Sequence, residues 1–293
     1  MKAFIFPGQG SQFSGMGYDL YKSSPKAKKL FELSNKILDF NICKIMFEGS
    51  DEELKKTNVT QPAIFIHSAI LAHCMDMSAD MVAGHSLGEF SALVAAKAIT
   101  FENGLKLVLT RAEAMHKACQ EYDSTMAAII GLNAETIEKY CQKTHGIIVP
   151  ANYNSINQIV ISGERKIIEK SCADLSNLGA KKTIVLPVGG AFHSPIMDSA
   201  KETLQQAIDK TEFHNPICPI YQNVSANAEM NKNRVKEKLI EQLTAPVKWY
   251  QTIENMIEAG ASKFFEVGPG NVLTGLNRRI NRNIESVKGA MEE

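Results

Sequence analysis

The sequence predicts an α/β protein with a largely parallel sheet at its core and a smaller unit inserted into the chain. Short apolar segments typical of strands alternate with segments of helical periodicity, which is the pattern of α/β layering. Residues 122–190 depart from that pattern, because strands and helices follow each other more closely there. The length of 293 residues agrees with this division, since it exceeds the usual size of one domain.

The main unit is predicted to span residues 1–121 and 191–293. Its strand candidates are Lys2–Phe6, Met81–Gly84 and Lys263–Val267. The turn Gly268-Pro269-Gly270 closes the last of them. Helical candidates follow the second strand at Glu89–Ala98 and Glu102–Ala118. This alternation favours parallel strands joined through helices.

The inserted unit, residues 122–190, has the order strand, helix, strand, strand, helix, strand. The six elements are Thr125–Gly131, Ala134–Lys143, Ile147–Asn152, Gln158–Ser162, Glu164–Leu178 and Lys182–Leu186. That order is the βαββαβ pattern of ferredoxin-like folds. The alternative is that these strands extend the main sheet.

Charge balance limits the classes of partner. The chain has 32 Lys and Arg against 32 Asp and Glu, so its formal net charge is zero. This argues against a nucleic acid or another polyanion as the main partner. A hydrophobic content of 44% with 22% charged residues is ordinary for a soluble globular protein.

The sequence predicts neither a membrane span nor a secretory signal. The longest uncharged stretch, Thr57 to Met75, contains amide side chains, a proline and two histidines. The N-terminal apolar run is too short for a signal peptide, because Pro7 and Gly8 end it. The six cysteines are far apart and form no C-x-x-C pair, so we expect buried thiols and no metal site. A cytoplasmic protein is expected.

The segment Gly84-His85-Ser86-Leu87-Gly88 matches the G-x-S-x-G pattern of a nucleophile elbow. The match is weak by itself, but it lies between a predicted strand and a predicted helix, as an elbow requires. Small residues two positions either side of Ser86 avoid collision in the sharp turn. The N–H of Leu87 at the helix start would favour a developing oxyanion. The main unit is therefore predicted to be α/β-hydrolase-like.

A glycine-rich turn, Gly8-Gln9-Gly10, follows the first strand. It is not a dinucleotide fingerprint, since Phe13 stands where the third glycine would be. It is not a P-loop either, because Gly15 is followed by a methionine. Its amides would supply a second oxyanion donor, and an ordinary turn is the alternative.

A serine nucleophile needs a general base, and seven histidines compete for that role. His85 adjoins Ser86 in a tight turn, which favours a structural role. His193 lies in a glycine-rich loop where the chain re-enters the main unit, and such loops often carry function. A structural role for His193 stays open on this argument alone.

Arg111 lies at the edge of the apolar stripe of the predicted helix Glu102–Ala118. One interpretation is a surface arginine whose stem covers that stripe. The other is a guanidinium that points into a cleft, where its planar fork would bind a carboxylate through two hydrogen bonds.

Together these motifs resemble the malonyl-CoA:acyl carrier protein transacylase family, the stand-alone acyltransferases of dissociated fatty acid synthesis. The resemblance covers nearly the whole chain, with seven motifs in family order and spacing. The matching segments are FPGQGSQ at 6–12, GHSLGE at 84–89, Arg111, Asn152-Tyr153-Asn154-Ser155, Ala191-Phe192-His193-Ser194, Gln242-Leu243 with Pro246-Val247-Lys248-Trp249, and Glu266-Val267-Gly268-Pro269-Gly270.

The resemblance implies a ping-pong acyl transfer that needs no cofactor. Ser86 would attack the thioester of malonyl-CoA while His193 takes its proton. The amides of Gln9 and Leu87 would hold the oxyanion. The malonyl-serine ester would then pass to the phosphopantetheine thiol of acyl carrier protein.

The resemblance also implies that Arg111 binds the malonyl carboxylate and that a main-chain carbonyl near Gln242 orients the histidine. The implied cleft residues are Asn152, Asn154, Gln158, Phe192, Lys181 and Lys182. Phe192 favours malonyl over methylmalonyl, a discrimination of about 1–3 kcal/mol. The two lysines would meet the pantetheine phosphate or an acidic carrier protein, and a solvated charge pair is the alternative.

Two rival functions share the nucleophile. A serine hydrolase or thioesterase would pass the acyl group to water, and a carrier-binding module would have lost the chemistry. Arg111 and the lack of a convincing acidic third member favour transfer. We expect a monomer that serves fatty acid synthesis, with polyketide synthesis as the alternative.

Overall fold

Two β-sheets organise the chain, which a computed structural model describes over residues 1–291. In chain order the strands are β1 (Lys2–Phe6), β2 (Met81–Gly84), β3 (Ser124–Ile130), β4 (Ile148–Ser155), β5 (Gln158–Glu164), β6 (Lys182–Val185), β7 (Ile220–Tyr221), β8 (Ala228–Glu229), β9 (Lys263–Glu266) and β10 (Glu285–Lys288). The helices are α1 (Tyr18–Ser23), α2 (Pro25–Leu38), α3 (Ile42–Glu48), α4 (Asp51–Lys55), α5 (Thr57–Cys74), α6 (Gly88–Ala95), α7 (Phe101–Glu121), α8 (Ala134–Lys143), α9 (Arg165–Asn177), α10 (Asp198–Asp209), α11 (Lys232–Glu241), α12 (Trp249–Glu258) and α13 (Val272–Ile280).

The larger sheet has six strands in the order β10-β9-β1-β2-β7-β8. All neighbouring strands are parallel except β7 and β8, which form an antiparallel pair. The predicted α/β class with a largely parallel sheet is therefore confirmed. The residue pattern does not predict three strands of this sheet (β7, β8 and β10), because they are only two to four residues long and lack an extended apolar run.

Both faces of the larger sheet are buried. Ala3 and Ile5 of β1 pack into one hydrophobic cluster. Phe4 and Phe6 of the same strand pack into the other. Because successive strand residues point to opposite faces, helices must cover the sheet on both sides. The carboxyl ends of β1 and β2 lie side by side, with Phe6 opposite Gly84, so the loops that follow them meet.

The smaller sheet is antiparallel, with strand order β4-β5-β3-β6, and it is separate from the larger one. The alternative in which these strands extend the main sheet is therefore wrong. One face, through Ile129 and Ile161, packs against α8 and α9. The other face, through Met126 and Val160, joins the main core. The elements Ser124–Val185 lie within the predicted segment 122–190, whose boundaries stay a prediction, and residues 292–293 of the segment 191–293 lie outside the described residues.

Observed element ends follow from local backbone geometry. The predicted helix Glu89–Ala98 ends at Ala95, because Lys97 takes a left-handed conformation (φ 57°) that helices do not continue. The predicted strand Ile147–Asn152 runs on to Ser155, since its pairing with β5 continues past two irregularities in register. The helix at Ala134–Lys143 has the predicted bounds, and the side chain of Asn133 caps its first turn.

No helix within residues 1–291 combines the length and the hydropathy needed to cross a membrane. The uncharged stretch from Thr57 forms α5, which is buried in the protein core. All six cysteines are unpaired thiols. Cys43, Cys141 and Cys218 are buried, whereas the other three are half-buried, so the expectation of buried thiols holds for only part of the set. Burial raises the pKa of Cys43 to about 11.

The turn between β2 and α6 depends on two glycines. A Cβ at Gly84 would overlap the backbone of Gly88, and a Cβ at Gly88 would overlap the carbonyl of Phe6. Between them Ser86 has a φ of 54°, which is a strained value for a residue with a side chain. The chain therefore turns sharply, and the helix start lies directly against β1.

We expect Gly84→Ala to lower the free energy of unfolding by about 3 kcal/mol, because two backbone segments would have to separate. Gly275→Ala is the matched control, since no atom would contact its Cβ on the exposed face of α13. The control should raise stability by about 0.5–1 kcal/mol. Urea denaturation followed by circular dichroism measures both. A Gly84→Ala protein as stable as wild type would contradict the close approach.

Candidate active site

Ser86 opens into a cavity of about 560 Å³ between the two sheets. The main unit contributes the glycine turn, Ser86 and Arg111 to its lining, and the smaller sheet contributes Met126 and Val160. A wider groove of about 740 Å³ lies between α8 and α9. Among the described residues of that groove, no serine or cysteine is hydrogen-bonded to a histidine. The cavity at Ser86 is therefore the candidate active site.

The structure brings His193 to Ser86. The Ser86 Oγ and His193 Nε2 atoms are 2.7 Å apart. On the other side of the ring, His193 Nδ1 lies 3.0 Å from the carbonyl oxygen of Gln242 and 3.1 Å from that of Ala245. Carbonyl oxygens only accept hydrogen bonds, so Nδ1 carries the proton and Nε2 of the neutral ring accepts from the serine. Two backbone carbonyls thus stand where a triad would have a carboxylate.

His193 is held in its neutral form. Burial lowers its pKa from 6.5 to about 3, and the positive charge of Arg111 adds to the effect. The side chain is almost fully buried, with 3% of the residue surface exposed. A lone pair is therefore available on Nε2 throughout the physiological pH range, as a general base requires.

Arg111 reaches the same serine from α7. Its Nη2 donates to Ser86 Oγ over 3.0 Å, and only 1% of the residue surface is exposed. The alternative of a surface arginine covering the apolar stripe is therefore wrong. Burial lowers the pKa of Arg111 to about 10, and the charge of Glu89 opposes that shift. The guanidinium remains protonated at neutral pH, so the cavity contains a buried positive charge beside the hydroxyl.

The glycine turn lies against the elbow. A Cβ at Gly8 would press on the carbonyl oxygen of His85, so only glycine allows this approach. The backbone amides of Gln9 and Leu87 donate to no other group within residues 1–291. Both residues line the cavity. The two amides are therefore free to donate to a ligand atom.

Two side-chain amides clamp the elbow, and sequence reasoning missed one of them, Asn223. Asn223 accepts from the N–H of Ser86 over 2.7 Å and donates to the carbonyl of Gly84 over 2.5 Å. Gln242 donates from its side chain to the carbonyl of Ser86 over 3.0 Å. The buried carboxylate of Glu89 accepts from the N–H of Asn223 over 2.9 Å. Asn223 follows β7, and a two-residue strand offers no sequence pattern that would have indicated it.

The loop that carries His193 is tied to the smaller sheet. Ser162 of β5 donates from its hydroxyl to the carbonyl of Phe192 over 2.7 Å. Ser124 of β3 accepts from the N–H of Ala191 over 3.1 Å. His193 itself has a φ of 57°, so this loop, like the elbow, is held in a strained conformation by buried hydrogen bonds.

Four of the six predicted cleft residues line the cavity: Asn152, Asn154, Gln158 and Phe192. The side chains of Asn154 and His85 are hydrogen-bonded over 2.8 Å, which indicates a structural role for that histidine. Lys181 and Lys182 are exposed and do not line the cavity, and their contact with a pantetheine phosphate or carrier protein stays a prediction. Lys182 begins the edge strand β6, whose side chains largely face solvent, and Lys181 precedes it.

Within residues 1–291, no cluster of three or more His, Cys, Asp or Glu side chains is arranged to hold a metal ion.

Comparison with known proteins agrees with the geometry. The acyl transferase domain family matches residues 3–291. A malonyl CoA-acyl carrier protein transacylase of Bacillus subtilis is 41% identical over 291 residues, which is 97% of this chain and 92% of the relative. The structure of the malonyl CoA-acyl carrier protein transacylase from Coxiella burnetii aligns with a TM-score of 0.96 and 36% identity, covering 99% of this chain and 94% of that one.

A further solved structure is a malonyl-transacylase in complex with a type II PKS acyl-carrier protein. It aligns with a TM-score of 0.95 and 34% identity, covering 99% of this chain and 96% of that one. The resemblance predicted from the sequence motifs is thereby confirmed over nearly the full length. The chain belongs to the acyl transferase domain family.

Proposed function

We propose that this protein transfers the malonyl group of malonyl-CoA to the phosphopantetheine thiol of an acyl carrier protein, through an ester on Ser86. The observation that carries the proposal is the pair of contacts to the Ser86 hydroxyl, from a neutral imidazole at 2.7 Å and a buried guanidinium at 3.0 Å. The first group supplies a base. The second supplies a charge for a carboxylate.

In the first half-reaction, Ser86 Oγ attacks the thioester carbon while His193 Nε2 takes its proton. The amides of Gln9 and Leu87 donate to the resulting oxyanion, a contact that strengthens as negative charge develops there. Collapse expels the CoA sulfur, which leaves as the thiol with the proton from His193. The product is a malonyl ester of Ser86 and neutral histidine.

The second half-reaction repeats these steps in reverse order. The carrier thiol attacks the ester carbon, and His193 takes the thiol proton and returns it to Ser86 Oγ as the carbon–oxygen bond breaks. The carbonyls of Gln242 and Ala245 stabilise the transient imidazolium through its Nδ1–H in both halves. Each step uses side chains and amides of this chain, so the proposal requires no bound cofactor.

Arg111 provides selectivity for the malonyl group. Its guanidinium is charged, buried and within hydrogen-bond distance of the nucleophile, so it is suited to the free carboxylate of a malonyl group near Ser86. An acetyl group has no carboxylate to offer. Hydrolysis is the rival outcome, and the buried Arg111 together with two backbone carbonyls in place of an acidic third group favours transfer.

We assign the reaction to fatty acid synthesis and propose a cytoplasmic monomer, with polyketide synthesis as the alternative pathway. One solved relative, a malonyl-transacylase in complex with a type II PKS acyl-carrier protein, supports the alternative pathway.

Labelled malonyl-CoA tests the proposal directly. With wild-type protein we expect one malonyl label on the Ser86 peptide, and transfer of that label to carrier protein on mixing. Ser86→Ala should carry no label. Ser91→Ala is the matched control, because this neighbouring serine is buried on α6 and should not affect labelling. Rapid release of free malonate without malonyl-carrier would instead support a hydrolase.

We expect Arg111→Ala to lower kcat/KM for malonyl-CoA by about 30-fold or more, because losing one partner of the buried charge pair between Arg111 and the malonyl carboxylate costs about 2–5 kcal/mol. Transfer of acetyl from acetyl-CoA should hold or rise. Arg165→Ala, which removes a half-buried arginine of α9 paired with Asp123, is the control and should leave kcat/KM for both donors unchanged. An equal loss with both donors would make Arg111 structural and not selective.

The pH dependence follows from the low pKa of His193, about 3 in the free protein. Because the base stays neutral, kcat/KM for acetyl-CoA should remain flat from pH 8 to pH 5, where a histidine of ordinary pKa would lose about 30-fold. Arg111→Ala removes one cause that lowers this pKa, so the acid limb should move to higher pH. Initial rates across pH measure both, with circular dichroism to verify folding. A wild-type profile that falls near pH 6.5 would contradict the assignment.

A further inference from the structure

Gln61 is a buried amide that contacts the guanidinium of Arg111. It lies on α5, has no exposed surface, and its Oε1 accepts from Arg111 Nη1 over 2.7 Å. Its Nε2 donates to the sulfur of Met115 over 3.4 Å. Arg111 and Met115 are one turn apart on α7, so the amide of Gln61 spans that turn.

The chemistry of its neighbours sets the direction of this amide. Arginine has only donors, so the oxygen of Gln61 must face Arg111 and its NH₂ must face the weakly accepting sulfur. A flipped amide would oppose two donors in a buried place, which is unfavourable. The orientation of the Gln61 side chain and that of the guanidinium therefore depend on each other.

The partner of the guanidinium is neutral. No Asp or Glu oxygen within residues 1–291 lies within 4.0 Å of Arg111. Glu89 acts on it only at longer range, and the ring of Phe90 lies 5.8 Å from the guanidinium carbon. The Nε–H of Arg111 is buried and donates to no described group. The positive charge is thus oriented but not paired.

We infer that Gln61 is a positioning residue for acyl selectivity: its neutral oxygen fixes the guanidinium of Arg111 toward Ser86 and leaves the charge for the carboxylate of the substrate. The inference deepens the proposed function and rests on it. A glutamate at this position would make a buried ion pair with Arg111 and compete with the substrate carboxylate. An apolar side chain of similar length would leave the charge free but the guanidinium without its anchor.

The test compares malonyl-CoA and acetyl-CoA as donors to carrier protein in Gln61→Glu and Gln61→Met. We expect the ratio of the two kcat/KM values, malonyl over acetyl, to fall at least tenfold in both variants. In Gln61→Met the loss should appear mainly in KM for malonyl-CoA, because the base and the nucleophile are unchanged. A selectivity ratio is informative because general loosening of the fold would lower both rates together.

Thr60→Val is the matched control on the same helix. Its hydroxyl donates to the carbonyl of Leu54 and makes no hydrogen bond to Arg111 or Ser86, so the variant should lose stability but keep the selectivity ratio. Thermal unfolding measures stability for all variants, and Gln61→Met decides the matter if Gln61→Glu does not fold. A ratio within twofold of wild type in a folded Gln61 variant would overturn the inference while leaving the malonyl transfer proposal standing. A wild-type protein that transfers no malonyl group would overturn both.

Discussion

A buried positive charge beside a neutral imidazole is the constraint on which the site depends. Removing an arginine from water is costly unless other groups compensate. Here the compensation is indirect: an amide oxygen from Gln61, the serine hydroxyl, an aromatic face, and the charge of Glu89 at longer range. Burial lowers the pKa of His193, and the charge of Arg111 adds to the effect, so the base stays neutral. The buried arginine therefore contributes to both selectivity and reactivity.

This arrangement requires a rigid surrounding structure. Ser86 and His193 both have left-handed backbone conformations, which cost energy for residues with side chains. Buried hydrogen bonds hold each of them: Asn223 and Gln242 clamp the elbow, and serines of the smaller sheet hold the histidine loop. The strain is thus balanced by polar contacts from segments distant in the sequence. Both sheets contribute to one site, although the nucleophile and the base lie outside the strands of the smaller sheet.

Much of the fold was predictable because local chemistry dictates it. The elbow glycines, the helix at Ala134–Lys143 and the strand at Met81–Gly84 follow from residue pattern alone, and the structure has them at or near the predicted bounds. Short strands such as β7 were not predictable, since two residues contain no periodicity. Lys181 and Lys182 illustrate the opposite case, since the sequence shows the pair but not that it lies outside the cavity lining. Two adjacent lysines are easily recognised in the sequence. Their distance from the Ser86 cavity depends on the position of β6 at the edge of the smaller sheet.

The amino-acid sequence alone was sufficient to predict the nucleophile turn, because a sharp turn requires particular residue types at close spacing. Through the family resemblance, the sequence was also sufficient to select Ser86, His193 and Arg111 as the reactive residues. The tertiary structure was needed to identify the amide side chains that hold these reactive residues in position. Asn223 and Gln242 contact the serine backbone across 137 and 156 residues of sequence. Gln61 is one uncharged residue in an apolar helix until α5 packs against α7. Amides carry no charge and no strong spacing rule, so only packing reveals which of them meet a buried ion.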